Sequence, residues 1–251
     1  MVNVIVNDKL INDVDLIIFD RDGTLIDLFF YWGNMVKKRA ALISTKLGLS
    51  QNKEDQLASA MGVDLHQQCI KPDGPFGIKK REIVMQAAID YLQSIGCADS
   101  AGLCACAFQE TDDWSNQHLE KLVMPIDGLY ALFNDLVNGA CKIAVATTDR
   151  TQRAKLTLEY LKLADKVSWV IGADGVKNTK PAPDMINFLL QKLNAKPLHT
   201  LMVGDAVTDI VMGRNAGVKA SIAVCSGINS REMLACYTDN VVDSIAQIKV
   251  L

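Results

Sequence analysis

The stretch LIIFDRDGTLID, residues 16–27, decides how the chain is read. Leu16, Ile17, Ile18 and Phe19 form a continuous apolar run, the pattern of a strand covered on both faces inside an α/β sheet. Directly behind it come Asp20 and Asp22, at the position where open α/β sheets bind their ligands, outside the carboxyl ends of the strands. Two neighbouring carboxylates repel each other unless a cation or a shared proton lies between them. The pattern therefore asks for a metal. Gly23 and Thr24 add a turn whose backbone amides can point at an anion. The plainer alternative is a polar junction in which the aspartates only cap a turn.

Composition sets the outer bounds. The 251 residues suffice for one large domain, or for a core carrying a smaller inserted one. Hydrophobic residues make up 49% and charged residues 22%, which is ordinary globular usage and excludes disordered and fibrous classes. A formal net charge of −3 argues against a nucleic-acid partner. No apolar segment approaches the roughly 18 residues of a membrane span. The start MVNVIVNDKL lacks the basic and long apolar stretches of a signal peptide, so the expected location is cytoplasmic, with no membrane partner. The seven cysteines are scattered; Cys104 and Cys106 alone are close, without the second pair or histidines of a zinc site, and all seven are expected to be reduced thiols. His66, His118 and His199 do not cluster.

Beyond residue 28 the pattern changes. NMVKKRAALISTKLGL and KKREIVMQAAIDYLQSIG carry apolar residues at helical spacing, and KPDGPFG, residues 71–77, reads as a turn-rich break between helices. After MPIDG, strand and helix alternate again through CKIAVA, TQRAKLTLEYLKL, VSWVIG, a helix from Pro183, TLMVG, a helix from Asp209, and ASIAV. The expected fold is α/β: a Rossmann-like three-layer core with a parallel sheet, residues 1–27 and 124–251, interrupted by an inserted, mostly α-helical cap, residues 28–123.

Three further strand ends repeat the opening theme. KIAVATTDR puts the hydroxyls of Thr147 and Thr148 where a phosphoryl oxygen could be bound, or where a helix could be capped. GDAVTD places Asp205 at a strand end and Asp209 one helical turn on, facing back toward the mouth of the sheet. Lys180 precedes PAPD in a loop fixed by Pro181 and Pro183.

With DRDGTL, VATT, the lysine of TKPAPD and GDAVTD standing in this order, the chain resembles the haloacid dehalogenase superfamily in its helical-cap form, and within it the phosphoglycolate phosphatases. The resemblance implies a phosphatase acting on a small phosphorylated metabolite as a monomer or homodimer. Asp20 would be the nucleophile that becomes an aspartyl phosphate. Asp22 would pass protons to the leaving alcohol and from the attacking water. Mg²⁺ would be held by Asp20, the Asp22 carbonyl, Asp205 and Asp209. Gly23, Thr24, Thr147, Thr148 and Lys180 would bind the phosphate, with Thr147 and Lys180 assisting catalysis.

Asp22 separates this reading from dehalogenases and phosphonatases, which lack it. A phosphomutase similar to β-phosphoglucomutase would keep every motif and differ in its cap, whereas a non-catalytic binding protein would have lost at least one charged residue. Arg21 gives the DRDG seen in capless histidinol and heptose phosphate phosphatases, whose zinc loop is not found here. In the cap, Phe29, Phe30, Tyr31 and Trp32 are expected to pack between cap and core. Lys37, Lys38, Arg39, Lys79, Lys80 and Arg81 are expected on solvated helix faces, with reception of a substrate carboxylate as their functional alternative.

Overall fold

The computed structural model describes residues 1–71, 74–75 and 81–251. The chain divides into two compact units, one made of Met1–Asp27 and Pro125–Leu251, the other of Leu28–Met124.

In chain order the elements are β1 Val2–Val6, β2 Lys9–Val14, β3 Leu16–Phe19, α1 Leu28–Leu47, α2 Gln51–Ala60, β4 Val63–Asp64, β5 Cys69–Ile70, α3 Arg81–Ser94, α4 Ala101–Gln117 and α5 Leu129–Asn138. They continue with β6 Lys142–Ala146, α6 Thr151–Tyr160, β7 Trp169–Ile171, α7 Asp184–Leu193, β8 Thr200–Gly204, α8 Val207–Asn215, β9 Ala220–Val224, α9 Arg231–Ala235, β10 Val241–Val242 and β11 Lys249–Val250.

The first unit holds a six-stranded parallel sheet in the order β10-β9-β8-β3-β6-β7. All four residues of β3 and all five of β8 are buried, as continuous apolar strands between helical layers must be. Register then sets the geometry of the sheet mouth. Phe19 lies level with Val145 of β6 and Val203 of β8, and the Asp20 amide donates to the Val203 carbonyl at 2.8 Å. Asp20, Thr147 and Asp205 thus sit just beyond three adjacent strand ends. On one face, Met185, Ile186, Leu189 and Leu190 of α7 recur at helical spacing and pack with Leu16, Ile18, Ala144, Ala146 and Met202.

The N-terminal residues add an element that the motif reading passed over. Val2, Val4 and Val6 are buried alternately, β1 pairs antiparallel with β2 and β11, and Asn7 and Asp8 both take positive φ in the two-residue turn between β1 and β2.

In the second unit α1 touches α2 and α4, and α3 touches the same two helices, with a two-stranded antiparallel hairpin, β4–β5, alongside. The solvated-face expectation holds for exposed Lys37 but not for Arg39, which is buried. Arg39 Nη2 donates to Asp112 Oδ1 at 3.0 Å, Arg81 Nε donates to Asp112 Oδ2 at 3.0 Å, and the Arg39 guanidinium stacks 4.2 Å from the Phe108 ring. The reason is physical: one carboxylate from α4 satisfies both cations, which a sequence spacing of 73 residues hides. Lys79, Lys80 and most of KPDGPFG lie outside the described residues. Of the aromatic run, Tyr31 is buried and packs edge-on against Trp32.

Removing one partner from a buried ion pair leaves uncompensated charge. Asp112→Ala is therefore expected to cost about 3 kcal/mol, read as a lower urea midpoint, whereas Lys37→Ala at an exposed position should change it by no more than about 0.5 kcal/mol. No helix among the described residues is long and apolar enough to cross a membrane, and all seven cysteines are free.

Candidate active site

Four side chains from three separate segments converge at the mouth of the sheet. Lys180 Nζ donates to Asp20 Oδ1 at 2.5 Å and lies 2.6 Å from Asp209 Oδ1. Asp20, Asp205 and Asp209 offer carboxylate oxygens within 4.8 Å of one another, and all three are buried. Asp205 and Asp209 are each held by a backbone amide. Ile228 donates its amide to Asp205 Oδ2 at 2.8 Å, and Asp209, in the first turn of α8, reaches back to the Ala206 amide at 3.1 Å. Thr147 is fully buried, and its hydroxyl oxygen accepts the Asp149 amide at 3.1 Å, which leaves the hydroxyl proton to donate.

Two of the residues expected to bind phosphate are placed otherwise. The Gly23 amide donates to the Ile26 carbonyl at 2.8 Å and the Thr24 amide to the Arg21 carbonyl at 3.4 Å, so both are used inside the turn. The Thr24 hydroxyl is buried, with no hydrogen-bond partner among the described residues. Gly23 serves by shape instead. It takes φ +78°, and a Cβ there would come within 2.7 Å of Asp205 Oδ2. Thr148 is exposed, unlike Thr147.

Asp22 stands apart from the acidic group. Its carboxylate is gripped at two points by Arg21, Nε to Oδ1 at 2.9 Å and Nη2 to Oδ2 at 2.8 Å. Arg21 and Asp149 had no part in the sequence-derived site. An arginine between the two aspartates, and an aspartate two residues after Thr147, were the available signals. The loop that follows β9 was missed as well: besides the Ile228 amide it supplies Ser226, whose Oγ donates to the Gly23 carbonyl at 2.6 Å.

The charges do not balance. Burial pushes the Asp20 carboxyl up to about 6 against the opposing pull of Lys180. Asp205 is raised well above the usual carboxylate range, first by burial and then by the charges of Asp20 and Asp209. Burial also works against the Lys180 ammonium, yet Asp20 and Asp209 carry it above its ordinary value. Asp22 is raised by burial, with Arg21 opposing. With all three buried carboxylates ionised, the one lysine among them would leave two negative charges uncompensated. Hard oxygen donors with that excess suit a divalent cation such as Mg²⁺.

A family model described as haloacid dehalogenase-like hydrolase matches residues 17–224. The chain belongs to that family. Among curated proteins, a pyrophosphatase PpaX of Bacillus mycoides (strain KBAB4) is 27% identical over 236 residues, 94% of this chain and 95% of the relative. A second, from Bacillus cereus (strain ATCC 10987 / NRS 248), is 34% identical over 124 residues, 49% of this chain and 57% of that protein. The solved structure of a predicted phosphoglycolate phosphatase from Haemophilus somnus 129pt superposes with a TM-score of 0.70 at 19% identity, covering 94% of this chain and 96% of that one. At this identity the likeness carries the fold alone.

Proposed function

We propose that this chain is a Mg²⁺-dependent phosphatase that hydrolyses a small phosphorylated metabolite, in the first instance a phosphoglycolate-like monoester, through an aspartyl phosphate on Asp20. The observation that carries the proposal is the Lys180 ammonium lodged between Asp20 and Asp209, with Asp205 alongside, at the carboxyl edge of the sheet. A buried carboxylate beside a fixed cation is a nucleophile placed where a phosphoryl oxygen can be neutralised.

Asp20 Oδ attacks phosphorus, the bond from phosphorus to the leaving oxygen breaks, and a proton passes from Asp22 to that oxygen. Water then attacks phosphorus, gives its proton to Asp22, and the bond from phosphorus to Asp20 breaks, returning the carboxylate. Lys180 and the Thr147 hydroxyl bind the phosphoryl oxygens in both steps. Asp20, the Asp22 carbonyl, Asp205 and Asp209 would hold Mg²⁺, which when bound offsets the repulsion between the anionic nucleophile and the anionic substrate. The helical unit, residues 28–123, would act as a cap that shields the phosphorylated enzyme and selects substrates.

Pyrophosphate is the second reading, favoured by the relative that aligns over nearly the whole chain. Its leaving group is phosphate, a weaker base than an alkoxide, so it asks less of Asp22. Phosphate release from 2-phosphoglycolate, glucose 1-phosphate and pyrophosphate at equal Mg²⁺ distinguishes the two. The monoester reading expects the highest kcat/KM on an ester, and a clear preference for pyrophosphate would replace it. Loss of fewer than about ten-fold in kcat on Lys180→Met would count against the site itself, since one positioned charge is typically worth 10²-fold or more.

A further inference from the structure

Arg21 takes no part in the chemistry just proposed, yet it is completely buried. A buried arginine is costly to desolvate, and an apolar residue of similar volume would often serve the fold as well or better. What the arginine does here is grip. Its two-point fork on Asp22 fixes the plane of that carboxylate, not only its distance. The same Nη2 donates to Asp149 Oδ2 at 2.7 Å. Asp149 is in turn fixed by the Arg150 amide at 2.8 Å, by Arg153 Nη1 at 3.2 Å and, through its own amide, by Thr147 Oγ1. Burial works against the Asp149 carboxylate, but Arg21 and Arg153 hold it below the usual range, so it stays an anion. The chain of contacts runs from the loop after β6, through Arg21, to Asp22 at the end of β3.

We propose that Arg21, anchored by Asp149, is a positioning residue that holds the Asp22 carboxylate where protons are exchanged with the leaving oxygen and with water. The proposal rests on the reading of Asp22 as the proton carrier. The fork occupies two of the carboxylate's roughly four lone-pair sites, and the others remain to give or take the proton. Arg21 itself does not touch substrate.

The need for a proton grows with the basicity of the leaving oxygen. A dinitrophenolate departs unaided, whereas an alkoxide does not. Misplacing Asp22 should therefore harm alkyl esters selectively, while damage to the fold or to the acidic group should harm every ester alike. The experiment measures kcat/KM for dinitrophenyl phosphate, phenyl phosphate and glycerol 2-phosphate with the parent protein, Asp149→Asn, Arg21→Lys and, as reference, Asp22→Asn. Lysine keeps the charge at position 21 but cannot form the fork, and Asp149→Asn leaves Arg21 in place with a weaker anchor.

For both test variants the expected loss is about 10- to 100-fold on glycerol 2-phosphate, part of the 10²- to 10⁴-fold typical of proton transfer, and less than about three-fold on dinitrophenyl phosphate. Log kcat/KM should fall more steeply with leaving-group basicity than in the parent. Equal losses on all three esters, or none on the alkyl ester, in whichever variants are folded by circular dichroism would overturn the proposal. If Asp22→Asn itself shows no such steepening, the role given to Asp22 is what fails.

Discussion

Asp20→Asn is expected to lower kcat by on the order of 10⁴-fold or more, with little change in substrate binding, because it removes the attacking oxygen and keeps the shape of the strand end. The same substitution should not weaken the metal-free fold. Asp20 is one of two buried carboxylates paired with a single lysine, with Asp205 alongside, and burial raises its pKa. Lys180 would keep Asp209 as a partner. Steady-state rates together with thermal melting of the metal-free proteins separate the two effects. A variant that is inactive because it has unfolded would show the loss in melting temperature, and a variant of normal rate would remove Asp20 from the chemistry.

Removal of the divalent cation is expected to have an effect of similar size. Because the ionised acidic group would carry two negative charges more than Lys180 offsets, chelation should abolish turnover and Mg²⁺ should restore it; equal rates with and without chelator would contradict the metal assignment. Stability gives a second readout with a definite sign. Burial pushes the Asp20 carboxyl up to about 6 from an ordinary value of 3.8, and Asp205 is raised well above its own ordinary value. Groups that bind protons more tightly when folded favour the fold at low pH, and that contribution is lost as pH rises from about 4 through about 6 and beyond. Mg²⁺ must displace those protons. The rise in melting temperature on adding Mg²⁺ should therefore be small near pH 5 and larger near pH 7.5, corresponding to about 2.7 kcal/mol when Mg²⁺ stands at a hundred times its Kd. Comparing each pH with and without Mg²⁺ cancels the other titrating groups.

The parallel sheet was legible in the sequence because its strands are unbroken apolar runs that end in polar residues. LIIF followed by DRD and TLMVG followed by D each mark a buried strand and its functional end in one signal. Lys180 was legible only through its proline-rich surroundings, since nothing local shows that its side chain turns inward to two aspartates 160 and 29 residues away in sequence. Arg21 was hidden for a different reason. Alternation along a strand suggests that residues 21 and 22 point apart, and only the turn from Arg21 to Ile26 lets the guanidinium fold back onto its neighbour. Gly23 and Thr24 show how local turn bonding is hidden in the sequence. Their amides looked available to an anion, but a tight turn uses them internally. The β1–β2 hairpin could have been found from Val2, Val4 and Val6 alternating before Asn7 and Asp8. Arg39 could not, because its partner is contributed by a distant helix.

The central claim is that phosphorus is bonded to Asp20 during turnover. Enzyme quenched in acid while turning over substrate, then reduced with borohydride, should carry the reduced side chain at position 20 on peptide sequencing, and the mark should be absent when substrate is omitted. A mark on any other carboxylate, or none in enzyme shown to be turning over when quenched, would contradict the account.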